Sequence, residues 1–337
     1  GQLIVVAGAL ALVAAAAAAG PAALRVAPMA ALIAVLALTY RSALRWPSLL
    51  AGLALIVLFV PIRRYRMPIE LPFQLEPYRI YVLLAIGAWI AALLTDRRVR
   101  LRTSGFEGPI ALLLVGILVS IVGNLGRISD QALAADVTKQ VTFLTSFFLV
   151  FYFIVSVVRS MRDAESLLRV LVGGGVVLSV LGVIETKTGF NPFDHLDRVI
   201  PVLVPDDDLS DAVFRAGLTR AYGSAQHPIA FGAMLAMLLP PALYFAYRKR
   251  SKLAWLSALI VLIGSLTTVS RTSVVMLGAI AVVITLLRPR AVWKNLPLLV
   301  PALVAIQLAL PGTLVTIKAM FFPEGGLVAE QADAPVG

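Results

Sequence analysis

Between Gly217 and Ser273 the chain concentrates groups that could hold an anion. Arg220, Tyr222, Gln226 and His227 lead into Pro228; two apolar runs and a basic turn follow, and then Thr267, Thr268, Ser270, Arg271, Thr272 and Ser273. Guanidinium groups grip phosphate through paired, charge-assisted hydrogen bonds. A helix N-terminus adds free N–H groups and the positive end of its dipole. Pro228 suits the first position of a helix, where its missing N–H costs nothing. Ser270, or Thr272 nearby, can cap a helix that starts beside Arg271. The spacing therefore predicts an anion-binding cup built from Arg220, Arg271, two helix starts and the surrounding hydroxyls. Arg271 interrupts long apolar runs, and an arginine at that depth needs a partner or a wet cavity. The structural alternative is that it reaches back to the interface and caps a neighbouring helix.

Other candidates carry less. His227 could be an acid, a base or a phosphate donor, or could simply cap the helix that begins at Pro228. A helix N-terminus disfavours the imidazolium, so a neutral ring donating one hydrogen bond is expected. His195 lies in polar sequence and reads as solvated. Asp206-Asp-Asp208 has the look of a metal-binding acidic run, but no strand precedes it and Ser210-Asp211 follows as a helix start, so a solvated loop is preferred. No zinc-protease, Walker or nucleophile-elbow motif is present, and neither a metal nor a cofactor is expected. There are no cysteines, which excludes disulfides and thiol chemistry. Gly173-Gly-Gly175, Ser179 and Gly182 place small residues at helical spacing, which predicts close helix packing and not a phosphate loop.

The elements that must position these residues are membrane helices. Apolar residues form 60% of the 337, charged residues 14%, and the mean hydropathy is +0.94. Apolar runs of membrane-crossing length recur at about 3–23, 26–40, 43–61, 78–94, 107–123, 138–158, 166–184, 229–247, 253–269, 272–287 and 296–311. The expected fold is all-α: one polytopic transmembrane domain over 1–337 with about eleven spans. The net charge of +11 sits in short clusters between spans, which topology and membrane lipid head groups explain better than nucleic acid. Setting those turns in the cytoplasm puts the N-terminus inside and makes 185–228 a long extracytoplasmic loop, with a second one starting at 312–337. Arg63-Arg64-Tyr65-Arg66 fits poorly, because it would lie outside. Arg220 and Arg271 share the outer side, since a helical hairpin separates them. Both chain ends read as edges of a fragment.

At Arg220-Ala-Tyr-Gly-Ser-Ala-Gln-His227-Pro228-Ile-Ala-Phe-Gly232, Leu238-Leu-Pro-Pro241 and Leu266-Thr-Thr-Val-Ser270-Arg271-Thr-Ser-Val-Val-Met-Leu-Gly278, the chain resembles the O-antigen ligase and O-antigen polymerase superfamily of membrane glycosyltransferases. The resemblance is moderately specific over about 215–290 and elsewhere topological, apart from Pro77-Tyr78-Arg79 at the fourth span. It implies metal-independent transfer of a glycan from a polyprenyl diphosphate carrier to a sugar hydroxyl, on lipid A core or another lipid-linked glycan. The setting would be the outer face of a bacterial cytoplasmic membrane. Arg220 and Arg271 would bind the diphosphate and stabilise its departure, with Tyr222, Gln226, His227, Ser270 and Thr272 as substrate contacts. The family often has Asn where His227 stands. It also places a presumed base, a histidine, in a large outside loop that this chain only begins. A transporter or flippase that binds the lipid-linked glycan without making bonds is the competing reading.

Overall fold

The computed structural model describes residues 45–61, 64–66, 77–95, 99–200, 203–205, 214–215, 218–249, 251–312, 315–316, 318 and 321. In chain order these form α1 (Trp46–Phe59), the two-residue strand β1 (Tyr65–Arg66), α2 (Pro77–Thr95), α3 (Glu107–Gly123), α4 (Leu125–Asp130), α5 (Ala134–Val157) and α6 (Met161–Thr188). A 3-10 turn (Pro192–His195), α7 (Leu196–Val199), β2 (Val204–Pro205), β3 (Phe214–Arg215) and β4 (Leu218–Thr219) occupy the long interruption. Then come α8 (Pro228–Lys249), α9 (Lys252–Leu266), α10 (Arg271–Leu287), α11 (Pro289–Asn295) and α12 (Leu299–Ala309). The strands make two antiparallel pairs, with Tyr65 opposite Pro205 and Phe214 opposite Thr219.

The fold class is α-helical, and each expected span from 43 onward coincides with a helix. Among the described residues, five helical runs are long and apolar enough to cross a membrane: Tyr78–Thr95, α5, α6, α8 and Pro289–Ala309. α1, α3, α9 and α10 are apolar but shorter. The spans expected at 3–23 and 26–40, the Asp206-Asp-Asp208 run and most of 312–337 lie outside the described residues.

The helices gather into two compact units. One takes its described residues from Ser42–Leu53 and Arg79–Leu167. Its core centres on Phe153, which meets Trp89 and Trp46 edge-on at centroid distances of 6.1 and 6.2 Å. Tyr81 donates to the carbonyl of Leu49 at 2.7 Å across the face of Gly52.

The other unit takes its described residues from Ala54–Tyr78 and Leu168–Gly337. Here α6 packs through small residues, as the glycine and serine spacing predicts. A methyl group on Gly174 would come within 2.6 Å of Leu58, and one on Gly175 within 2.6 Å of Leu238. One on Gly264 of α9 would meet Ser179 at 2.2 Å. Such contacts suit a membrane interior, where tight van der Waals packing replaces the hydrophobic drive between helices. Leu178, Phe231, Leu235 and Val261 fill the core between α6, α8 and α9. α8 carries Pro240 and Pro241 in its interior without interruption of the helix.

Candidate functional site

α8 begins at Pro228 and α10 at Arg271, so both helix starts fall where the sequence places them. The two donor-rich segments meet. Ala221 N–H donates to the carbonyl of Thr267 at 3.1 Å, and Arg220 Nε donates to the carbonyl of Thr268 at 3.0 Å. Arg220 is buried, while Arg271 is half-buried at the first position of α10. The turn between α9 and α10 is tight. It passes through Val269, buried at φ 45°, a left-handed conformation that costs a β-branched residue dearly.

Several hydroxyls expected to face an anion are engaged otherwise. Thr267 donates to the carbonyl of Gly264 at 2.7 Å and Thr268 to that of Ser265 at 3.0 Å, closing the end of α9. Thr268 and Ser273 hydroxyls lie 3.1 Å apart, directly over Gly232 of α8. A methyl group on Gly232 would sit 1.9 Å from the Ser273 Oγ, so only hydrogen fits there. Ser270 occupies the N-cap position of α10 but makes no side-chain cap bond, contrary to the capping role expected of it. Thr272 and Gln226 are exposed.

His227 caps α8: its Nδ1 accepts from the Ile229 N–H at 3.2 Å. An accepting Nδ1 makes the ring neutral, with its proton on Nε2. Burial, reinforced by the nearby charge of Arg220, lowers the imidazole pKa below its ordinary value and favours the same state.

Beneath the loop lies a buried polar cluster that the sequence reading did not find. The Glu185 carboxylate, buried at the end of α6, accepts from Tyr222 N–H at 3.1 Å, Gly223 N–H at 2.9 Å and Asn191 Nδ2 at 3.1 Å. Gly223 has φ +49°, and a methyl group there would strike the Phe231 ring, so glycine is required. Asn191 also donates to the carbonyl of Gly223 at 3.0 Å. Arg64 comes in from the other side: it pairs with Asp194 at 3.0 Å and donates to the carbonyls of Gly223 and Ala225. Its guanidinium lies 4.2 Å over the Tyr222 ring. Burial lowers the Arg64 pKa, and Asp194 opposes that shift.

Tyr222, expected as a substrate contact, turns its hydroxyl to Asp194 at 2.6 Å. Burial first, and then that hydrogen bond, push its phenol pKa up. The basic Arg64 turn, which fitted poorly as an outside loop, is thus bound to the 185–228 segment at the same end of the helices as Arg220. Its charge is taken up by Asp194 and carbonyls. The available signals were Glu185 standing alone at the end of an apolar run, and the misplaced basic turn itself.

The result is a loop, Arg220 to His227, held rigidly from below and joined by backbone and guanidinium to the start of α10. Chemically it offers fixed positive charge and two helix N-termini. No protein-family model, no curated protein and no solved structure matches the chain.

Proposed function

We propose that the protein transfers a glycan from a polyprenyl diphosphate to a sugar hydroxyl, on the outer face of a bacterial cytoplasmic membrane, as an O-antigen ligase or polymerase-like enzyme. The observation that supports this most is the bond from Arg220 to the Thr268 carbonyl, three residues before Arg271. It ties both arginines to one turn at the head of two helices. In the proposed reaction the acceptor hydroxyl oxygen attacks the anomeric carbon, and the bond to the diphosphate oxygen breaks. The electron pair leaves with the diphosphate, where Arg220 and Arg271 stabilise the growing negative charge. The hydroxyl proton passes to a base, which the resemblance puts in the loop following this chain's last span. His227 caps α8 through Nδ1, and its neutral Nε2–H suits a donor to the substrate better than that base.

The test is glycan transfer by Arg220→Ala, Arg271→Ala, Arg271→Lys and the double alanine variant of the full-length protein, compared at equal membrane abundance. Each alanine variant is expected to lose about ten- to a hundred-fold, mainly in turnover. The double variant should lose less than the sum, because one anion is shared. Near-wild-type transfer by both single variants overturns the proposal. Loss of lipid-linked glycan movement across the membrane, with no transfer by wild type, would favour the transporter reading.

A further inference from the structure

α6 has 28 residues and is about 42 Å long, against about 30 Å of hydrocarbon in a bilayer. Its apolar stretch ends at Ile184, and Glu185, Thr186, Lys187 and Thr188 carry the helix past it. Gly189 then closes the helix: it has φ +71°, and its N–H donates to the Glu185 carbonyl at 2.8 Å. An apolar residue after such a glycine commonly folds back on the last turn. Phe190 does not. The position it would cover is Glu185, whose side chain is committed to the buried polar cluster, and Phe190 is 52% exposed.

The Phe190 ring lies against His195 instead, at a centroid distance of 5.3 Å and an angle of 31°. The backbone between the two is fixed. Asn191 Oδ1 accepts from Phe193 N–H at 2.9 Å, the Tyr65 hydroxyl donates to the Phe193 carbonyl at 2.8 Å, and Leu196 N–H donates to that hydroxyl at 3.1 Å. Asp194 is held by Arg64 and Tyr222. His195 is half-buried, and among the described residues no hydrogen-bond partner reaches its ring nitrogens. Phe190 and His195 thus stand side by side on a rigid segment. An exposed aromatic face attracts C–H groups through its negative quadrupole. A neutral imidazole offers one donor and one acceptor at its edge. An acyl chain would cover the phenyl ring and leave the imidazole unused, and the pair lies beyond the apolar stretch of α6. Phosphate would engage the imidazole and leave the phenyl ring bare. A pyranose satisfies both, stacking its C–H face on the ring while hydroxyls at its rim reach the nitrogens.

We propose that Phe190 and His195 form a platform that holds one pyranose ring of a glycan. The inference rests on the proposed glycan transfer, which brings a donor glycan and an acceptor glycan to the end of the helices that carries Arg220. Asp194, next to His195, accepts from the hydroxyl of Tyr222, two residues after Arg220. Platform and arginine loop therefore belong to one hydrogen-bonded assembly, and a ring held on the first has a fixed direction relative to the second.

The experiment is saturation-transfer NMR on the purified full-length protein, in a detergent without a sugar head group. The probes are the methyl α-glycosides of glucose, galactose, mannose and rhamnose. At least one should receive saturation, strongest at the C–H groups of one ring face, and none from all four overturns the proposal. Phe190→Trp should keep the contact, and Phe190→Ala should weaken it about three- to tenfold. Phe190→Leu should weaken it as alanine does and also serves if the alanine variant fails to fold. Wild-type contact by the leucine variant would mean an apolar patch without stacking and would overturn the platform. The second readout is glycan transfer at equal membrane abundance. Phe190→Ala should raise KM for the donor or for the acceptor by a similar factor, with kcat little changed. The substrate whose KM rises is the one the platform holds, and unchanged KM for both overturns the proposal. Glycoside contact without transfer by wild type would remove the transferase reading and keep the platform. Transfer with neither contact nor a KM change would remove the platform alone.

Discussion

Arg220 Nε donates to the main-chain oxygen of Thr268 at 3.0 Å, so the loop before α8 and the turn before α10 are one structure. The guanidinium is aimed by that bond. Arg220→Lys keeps the charge but cannot place a donor there while reaching elsewhere. We expect Arg220→Lys to lose about 1–2 kcal/mol in stability, the scale of a charge-assisted bond inside the protein. Thermal unfolding in detergent checks it, and a midpoint equal to wild type would remove the bond from the account.

Glu185 should matter more than its distance from the arginines suggests. Alanine there leaves the N–H groups of Tyr222 and Gly223 and the amide of Asn191 without their acceptor. Each buried orphan costs about 1–3 kcal/mol. Glu185→Gln keeps the shape but turns an NH2 toward a donor, so it too should destabilise, by less than alanine. Proteolysis within 220–227 under native conditions should increase in both variants. Unchanged cleavage rates would show that the carboxylate does not hold the loop.

The packing of α8 on α10 makes a sharp comparison between glycines. Gly232→Ala puts a methyl group 1.9 Å from Ser273 Oγ and 2.6 Å from Thr268 Oγ1 and should cost several kcal/mol. Gly87→Ala, inside α2 with nothing within 4 Å, should be neutral or stabilise by about 0.5–1 kcal/mol. Gly232→Ala with Ser273→Ala should recover part of the loss. Midpoints from parallel melts decide the ordering.

His227 gives a pH dependence with a definite sign. Its pKa is lowered in the folded protein, so the unfolded chain binds more protons between the folded value and the ordinary value of about 6.5. Stability contributed by the neutral cap is therefore complete above about pH 7 and is lost as pH falls through that window. His227→Asn also caps but does not titrate. The variant should show a smaller fall in thermal midpoint between neutral and mildly acidic buffer. Parallel falls in both proteins would show that titration of His227 contributes nothing to the pH dependence.

The sequence made the meeting of Arg220 with the α10 turn legible, because a hairpin of two spans returns its ends to one side. Pro228 marked the start of α8, and Gly174, Gly175 and Gly182 marked the face of α6 that packs closely. The polar cluster was not legible, for a physical reason. Glu185 pairs with Gly223 over 38 positions, and Arg64 with Asp194 over 130. Periodicity and capping rules report on neighbours within a few turns and say nothing of such partners. The hydroxyls of Thr267 and Thr268 misled in the opposite direction. By residue type they look like site donors, but carbonyls one turn back claim them first, as is common for Ser and Thr at helix ends.

Pro240 and Pro241, adjacent within α8, have a mechanical consequence. Neither can donate to the carbonyl four residues earlier, so Ala236 and Met237 lose their helical partners at neighbouring positions. Lipid provides no replacement donor. Resistance to bending is therefore least at the middle of the rod. The segment from Pro228 to Leu239 is clamped by Phe231 and Leu235 in the core and by the Gly232 contact with α10. The segment beyond it is held in the same core by Ala242 and Phe245 and carries Tyr247 and the basic turn. α8 is thus held straight across two missing hydrogen bonds by side-chain packing on both sides of the prolines.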